Sequence, residues 1–247
     1  MIFAPVMGSH PTIVITGGTR GVGYAIVELF AQKGWNVHFS ARNTPQLHKV
    51  ESEMQARGWN VQAYPCDLTQ KEQIEQWASL LLEHLDHIHV LINNAGTFIP
   101  GKISEESDKT FEHLMALNIA APYYLTKRIL PRMMASGRGH IINIISTAGL
   151  RPYPNGASYC ISKYALTGLT KVLREEMKPH NIRVTGIYPG PIYTDSWKDV
   201  PYQPYRFIRP ENLAQIVWNA CSLPPEVVIE DIVVSPQAGN FSESEMA

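Results

Sequence analysis

The chain has 247 residues, 45% hydrophobic and 17% charged, with 21 Lys and Arg against 22 Asp and Glu for a formal net charge of -1. That length carries one large α/β domain, and the near-neutral balance leaves no basic excess to recruit nucleic acid or an anionic lipid surface. Three cysteines, Cys66, Cys160 and Cys221, are odd in number, far apart and in no metal-ligand spacing, so they predict reduced thiols, a cytoplasmic setting and no disulfide framework.

"MIFAPVMGSHP" has no basic n-region and too short an apolar run to span a bilayer, so residues 1–11 are expected to form a short tail before the first strand. Beyond it, Val- and Ile-rich runs alternate with segments of helical period, the pattern of a parallel sheet covered by helices on both faces. "TIVIT" (12–16) is the first expected strand. A helix with apolar Ile26, Leu29 and Phe30 follows, with Gly34 as its stop. "NVHFSA" is strand two. Pro45 opens a helix with Leu47, Val50 and Met54 on one face and an end near Gly58, and "NVQAYP" is strand three. Ile74, Trp77, Leu81 and Leu85 mark the next helix, and "HVLIN" strand four. One long helix between Asp108 and Met134, a strand over 140–146 ("HIINIIS"), a helix containing Tyr159, a strand over 182–189 and a last strand over 231–236 complete the series. The expected fold class is α/β: a single-domain Rossmann-like, doubly wound sheet of about seven parallel strands with helices on both faces.

The one break in composition is residues 190–210, "GPIYTDSWKDVPYQPYRFIRP", with four prolines and five aromatics. It follows the carboxyl end of a strand, the edge at which open α/β sheets bind ligands, so it is expected to be a lid over the site.

"TGGTRGVG" (16–23) lies between the first strand and its helix, where glycines let backbone N–H groups and a helix N-terminus approach a pyrophosphate. Gly17, Gly21 and Gly23 do not fit the spacing GxGxxG; they fit TGxxxGxG. Thr19, Arg20 and Val22 share that loop as candidate cofactor residues. The second strand ends in Ala41 and then Arg42, with no acid nearby to take a ribose 2′-hydroxyl, so Arg20 and Arg42 predict the 2′-phosphate of NADP(H).

Two Tyr–Lys pairs share the i, i+4 spacing that puts an ammonium beside a phenol: Tyr159 with Lys163, and Tyr123 with Lys127. A third group separates them. Ser146, thirteen residues before Tyr159 at the end of an apolar strand, would project its hydroxyl over the crevice, where it could hold a carbonyl oxygen. Thr110, equally far before Tyr123, falls in an expected helix, so that pair is assigned to packing and surface. Asn118, buried by pattern in "ALNIAAP", is either a core amide that bends its helix or a functional one. His84, His87 and His89 precede strand four, at the wrong end of the sheet for the site, and no metal is assigned.

Taken in order, the glycine loop, "NNAG" (93–96), Asn118, Ser146, Tyr159-x-x-x-Lys163 and Pro189-Gly190 resemble the short-chain dehydrogenase/reductase family, from about Thr12 to Pro236. The resemblance implies a catalytic tetrad. Tyr159 would protonate the carbonyl oxygen, Ser146 would hydrogen-bond it, Lys163 would bind the nicotinamide ribose and lower the tyrosine pKa, and Asn118 would hold a water that relays protons. It further implies Asp67 and Leu68 at the adenine, Asn94, Ala95 and Gly96 beside the adenosine, and Ile192 and Thr194 at the carboxamide. Phe98, Ile99, Leu150, Tyr153, Tyr193 and Trp197 are candidate substrate contacts, which suggest an apolar or aromatic face. Lys198, Arg206 and Arg209 are candidate carboxylate partners or plain surface cations.

The expected function is an NADPH-dependent reductase of ketones or aldehydes, reversible as an alcohol dehydrogenase, with no nucleic acid or membrane partner. Family resemblance adds a homodimer or homotetramer. Two alternatives stay open: a 3-oxoacyl-thioester reductase of fatty-acid or polyketide metabolism, and a non-catalytic NADP-binding regulator. The ending "EDIVVSPQAGNF" departs from the Val-x-Gly-Gly turn usual in carrier-protein-linked 3-oxoacyl reductases, which weighs against the first.

Overall fold

The computed structural model describes residues 10–194, 203–239 and 241. Seven strands, β1 (Thr12–Thr16), β2 (Asn36–Ala41), β3 (Val61–Pro65), β4 (Val90–Asn93), β5 (Gly139–Ile144), β6 (Ile182–Pro189) and β7 (Asp231–Val234), form one sheet in the order β3-β2-β1-β4-β5-β6-β7. Every pairing is parallel. The chain winds outward from β1 to β3, then returns beside β1 with β4 and winds the other way. The winding therefore reverses between β1 and β4, and the crevice beyond their carboxyl ends is where a fold of this kind receives its ligand.

Period-two alternation sends Ile13 and Ile15 of β1 to one face and Val14 to the other. On the first face they meet α1 (Gly21–Gln32), α2 (Thr44–Ala56) and α7 (Pro210–Cys221), through Ile26, Phe30, Leu47, Leu213 and Val217. On the second, Val14 and Leu91 join α3 (Lys71–His84), α5 (Ala121–Ser136) and α6 (Ala157–Met177), through Trp77, Leu81, Leu125, Ile129 and Leu173. Phe30 is fully buried, edge-on to Trp35 at 5.1 Å and to Trp218 at 5.2 Å. Its loss to alanine would cost about 3–5 kcal/mol.

Helix boundaries follow local chemistry. The Asn43 side chain accepts from Gln46 N–H at 3.0 Å and opens α2 with Pro45 in its first turn, and Ser107 caps α4 (Asp108–Met115). Gly34 and Gly58, the expected stops of α1 and α2, both adopt positive φ.

Three expectations need correction. The long helix over 108–134 is interrupted: α4 and α5 are joined by a π turn, Ala116–Ala120, with Asn118 fully buried inside it. Strand β5 ends at Ile144 rather than 146; Ile145 N still pairs with Ile187 O, and Ser146 then turns to cap a short 3-10 turn, Thr147–Gly149. Helix α7 has no counterpart among the expected elements; Pro210, the last residue of the expected lid, is its first residue. Among the described residues no helix is long and apolar enough to cross a membrane.

Candidate functional site

The glycine loop is closed by backbone. Gly17 and Gly18 N–H both donate to Ser40 O, at 2.9 and 3.1 Å. Gly17 has φ 74°, and a Cβ on Gly23 would stand 1.9 Å from Gly17 O, so neither position tolerates a side chain. Arg20 is the extended residue before α1 and supplies no side-chain cap, which leaves the first-turn N–H groups of that helix for an anion. The Thr194 methyl lies 3.3 Å from where a Cβ on Gly21 would stand, so the segment after β6 reaches across the loop. Thr19 is half-buried, and its carbonyl accepts from Gln46 Nε2 at 3.3 Å. Val22 packs into the core.

The Thr16 hydroxyl, missed by sequence reasoning, and the expected Asn94 tie this loop to β4. Thr16 Oγ1 accepts from both Asn94 N–H and Ala95 N–H at 2.9 Å. Asn94 Nδ2 donates to Thr16 O at 2.9 Å and Gly17 O at 3.1 Å, so its amide braces the cradle. Asn93 points the other way, to Thr126 Oγ1 and to Asn143 Oδ1, and Asn143 Nδ2 donates to Thr170 Oγ1. That buried ladder links α5, β4, β5 and α6.

Arg20 and Arg42 are exposed, and among the described residues neither makes an ion pair or a side-chain hydrogen bond. Asp67, half-buried, accepts from Thr69 N–H and Thr69 Oγ1. Burial raises its pKa, but the Thr69 bonds and the positive charge of Arg42 outweigh that and lower it on balance. Leu68 turns its side chain into the core beside Cys66 and Ile74, so a ligand would meet its backbone.

Asn118, Ser146, Tyr159 and Lys163 are gathered at the carboxyl edge of β4 and β5. Asn118 Oδ1 accepts from Thr97 N–H at 3.0 Å, and its Nδ2 donates to Thr97 O and Ser162 Oγ, both at 3.0 Å. The π turn lets this amide reach backbone outside its own helix; such turns recur at functional sites. Lys163 is 3% exposed and donates to Ile144 O at 3.3 Å. A Cβ on Gly96 would come within 3.1 Å of Asn118 Oδ1 and 3.3 Å of Lys163 Nζ, so this glycine lies against both groups.

Lys163 Nζ is 5.8 Å from the centre of the Tyr159 ring. Burial raises the Tyr159 pKa, against a hydrogen bond with Ser146 that lowers it, and burial lowers Lys163 to about 8. The expected acidified phenol is therefore not found in this site: the apolar surroundings outweigh its polar partner and hold the proton on. Ser146 also accepts from Ala148 N–H at 3.1 Å, which orients its hydroxyl. Two hydroxyl donors thus meet beside a buried amine, an arrangement able to stabilise charge developing on a carbonyl oxygen.

Phe98 is exposed and packs edge-on against Tyr159 at 5.0 Å and tilted against Tyr153 at 6.4 Å. Leu150 is also exposed, and Ile99 half-buried. Tyr193 leans on Phe207 at 5.6 Å, and its N–H donates to Ile208 O. Ile192 pairs with Ile208 across the base of the expected lid, while Gly190 N–H donates to Val234 O beyond the buried Pro189. Trp197 and Lys198 lie outside the described residues. Arg206 sits 4.8 Å over the Phe241 ring, and Arg209 is exposed before α7. His89 Nδ1 accepts from Thr12 N–H, a structural use, and among the described residues no three His, Cys, Asp or Glu side chains group as a metal site.

Comparison with known proteins agrees with this geometry. Over 92% of the chain it is 32% identical, with a TM-score of 0.81, to 97% of a metagenomic short-chain oxidoreductase crystallised with NADP. An alcohol dehydrogenase from Thermococcus sibiricus, complexed with 5-hydroxy-NADP, superposes with a TM-score of 0.86 at 25% identity, covering 95% of this chain and all of that one. A sepiapterin reductase from Chlorobaculum tepidum is 28% identical over 239 residues, 94% of this chain and 98% of its own length. Residues 11–204 match the short chain dehydrogenase family, and the chain belongs to it.

Proposed function

We propose that the protein is an NADP(H)-dependent reductase of ketone or aldehyde carbonyls, acting in reverse on the corresponding alcohols. The observation that carries this reading is the placing of the Ser146 and Tyr159 hydroxyls beside the buried Lys163 at the ligand edge of the sheet. The cradle fits the cofactor: Gly17, Gly21 and Gly23 leave space that a Cβ would fill, and Arg20 and Arg42 offer two unengaged guanidinium groups for a 2′-phosphate. NADP-bound relatives support the same choice.

When bound, NADPH supplies the hydride. Glycine-loop N–H groups, Thr19 and Arg20 would hold its phosphates, with Arg42 at the 2′-phosphate and Asp67, Leu68, Ala95 and Gly96 along the adenosine. Pro189, Gly190, Ile192 and Thr194 would face the carboxamide. Tyr159, held protonated by burial, gives its proton to the carbonyl oxygen while Ser146 donates a second hydrogen bond to it. Lys163, positive below about pH 8, steadies the phenolate left behind and anchors the ribose. Asn118 has its side chain fully engaged and fixes Thr97 and Ser162; its role in proton supply would run through the π turn that it occupies. Phe98, Leu150, Tyr153, Tyr193 and Trp197 would line an apolar substrate face.

Phe111, Ile161, Tyr164 and Val172 are exposed on α4 and α6, and we assign this apolar face to pairing with a second copy, to be read by light scattering. Three buried free thiols support a reducing, cytoplasmic compartment. Loss of NADPH absorbance with a panel of ketones and aldehydes tests the activity. Tight NADPH binding without turnover on any of them would favour a regulator instead.

A further inference from the structure

The aromatic wall and the helix bearing Tyr159 meet at a junction of two glycines. Gly101 and Gly156 form an isolated parallel bridge, Gly101 N–H donates to Asn155 O at 2.9 Å, and Ala157 N–H donates to Gly101 O at 3.1 Å. Gly156 has no room for a side chain, and one on Gly101 would crowd Glu106. A Cβ on Gly101 would stand 3.0 Å from the Glu106 Cβ, and one on Gly156 would stand 2.6 Å from the Tyr153 ring. Glu106 and Tyr153 thus pack against opposite members of the same bridge.

Glu106 then closes the junction covalently remote but spatially direct: one carboxylate oxygen accepts from the Ser158 hydroxyl, in the first turn of α6. Ser158 is fully buried and immediately precedes Tyr159. The other carboxylate oxygen is buried with no hydrogen-bond partner among the described residues. Leaving a buried acceptor unmade is costly, so this carboxylate stands where its neighbours over-determine its place. Helix α6 explains part of the arrangement. It has no acid in its own first turn and no side-chain cap from Gly156, so Glu106 brings negative charge to its positive end from another segment.

Phe98 belongs to that segment, and its ring rests on both Tyr153 and Tyr159. We propose that Glu106 is a positioning residue for turnover: by holding Ser158 it fixes the 97–107 loop against α6, and so sets Phe98 as the wall that receives the flat, apolar side of an aryl ketone. This inference rests on the reductase reading above. It concerns the substrate end of the site, where Phe98 packs against Tyr153 and Tyr159.

The test compares Glu106→Ala, Ser158→Ala and Glu106→Gln on an aryl methyl ketone, with NADPH affinity measured by fluorescence. Loss of the clamp is expected to lower kcat/KM roughly 10- to 100-fold in Glu106→Ala and Ser158→Ala, as a misplacement of reacting groups by about 1 Å does, with NADPH Kd held within about twofold. Glu106→Gln keeps an oxygen that accepts from Ser158 and should stay close to wild type. In a Phe98→Ala background, Glu106→Ala should add little further loss, because both act on one wall. Wild-type turnover is measured first: its absence overturns the reductase reading and this inference together. Wild-type turnover with an unaffected Ser158→Ala, a Glu106→Gln as impaired as Glu106→Ala, or an equal loss of NADPH binding overturns the inference alone. Ser158→Ala removes one hydroxyl only, and it carries the test if Glu106→Ala does not fold.

Discussion

Lys163 holds its ammonium nitrogen 5.8 Å from the centre of the Tyr159 ring, one turn along the same helix. Lys127 stands 5.9 Å from the ring of Tyr123, so local geometry alone does not distinguish the two pairs. Surroundings do. Tyr123 and Lys127 are exposed, whereas Lys163 is buried and Tyr159 has the Ser146 hydroxyl lowering its pKa against burial. Water screens the first pair and leaves it little to do.

Phenylalanine at each position separates the two. Tyr159→Phe removes the proton donor and should lower kcat by about 10²- to 10⁴-fold, the usual worth of a general acid, with NADPH binding retained. Tyr123→Phe should leave kcat within about twofold of wild type, as surface changes generally do. Steady-state rates on a ketone that the wild type reduces decide it, and a Tyr159→Phe variant that turns over normally would require a different proton source.

The pH dependence of the two reaction directions should be opposite. Reduction needs a proton on Tyr159, which burial favours, and a positive Lys163 to support the phenolate. Lys163, lowered to about 8 by burial, is charged below that pH and neutral above it. Reduction should therefore hold through neutral pH and decline above about 8, while alcohol oxidation, which needs the phenol deprotonated, should rise across the same range. Profiles of kcat/KM in both directions check this. A reduction profile still flat at pH 9.5, well above the lysine transition, would contradict it.

Coenzyme choice should turn on Arg42. It is exposed at the end of β2 with its charge unneutralised by any described ion pair, and Asp67 feels that charge across the end of the sheet. Reversing it in Arg42→Asp removes a partner for a 2′-phosphate and supplies an acceptor for a 2′-hydroxyl. The NADPH-to-NADH ratio of kcat/KM should fall by roughly 10- to 100-fold, the worth of one or two charge-assisted hydrogen bonds. An unchanged ratio would move the phosphate contact to Arg20 alone or elsewhere.

Positions that carry their own chemistry were legible in the sequence. Gly17, Gly21 and Gly23 announce a backbone that must approach something closely, and Tyr159, Lys163 and Ser146 combine through spacing with strand and helix periods. What stayed hidden depends on contacts between distant parts of the chain. The Thr16 hydroxyl meets Asn94 N–H across 78 positions, and Glu106 meets Ser158 across 52, and no local period encodes either. The π turn at Asn118 showed only as a candidate helix-bending amide, because one extra residue in a helical pattern leaves the apolar spacing nearly intact. Burial also reversed the expected direction for Tyr159: the neighbouring lysine was visible from the spacing, but the desolvation that outweighs the lowering by Ser146 was not.

Acid stability should be governed by histidines outside the site. His140 is fully buried between β4 and β6, its Nε2 2.8 Å from Thr185 Oγ1. That hydroxyl donates to Ile229 O, so it accepts from His140 Nε2–H, and Nδ1 is left bare with no partner among the described residues. Burial, with the positive charge of Arg183 behind it, lowers the His140 pKa from 6.5 to about 3. Burial likewise lowers His38, which lies 3.0 Å from the Tyr64 hydroxyl, and His89, each to about 4. Between pH 6.5 and these values the unfolded chain binds protons that the folded chain refuses, so stability falls as pH falls, by up to about 1.4 kcal/mol per pH unit for each histidine. Denaturant unfolding at a series of pH values should show that decline beginning near 6.5. His140→Leu should be less stable at neutral pH, through lost packing and a lost hydrogen bond, yet its slope between pH 6 and 4.5 should be shallower by about one histidine's share. A variant whose slope matched the wild type would mean that His140 already carries its proton in the folded protein, and that Nδ1 has found an acceptor such as a bound water.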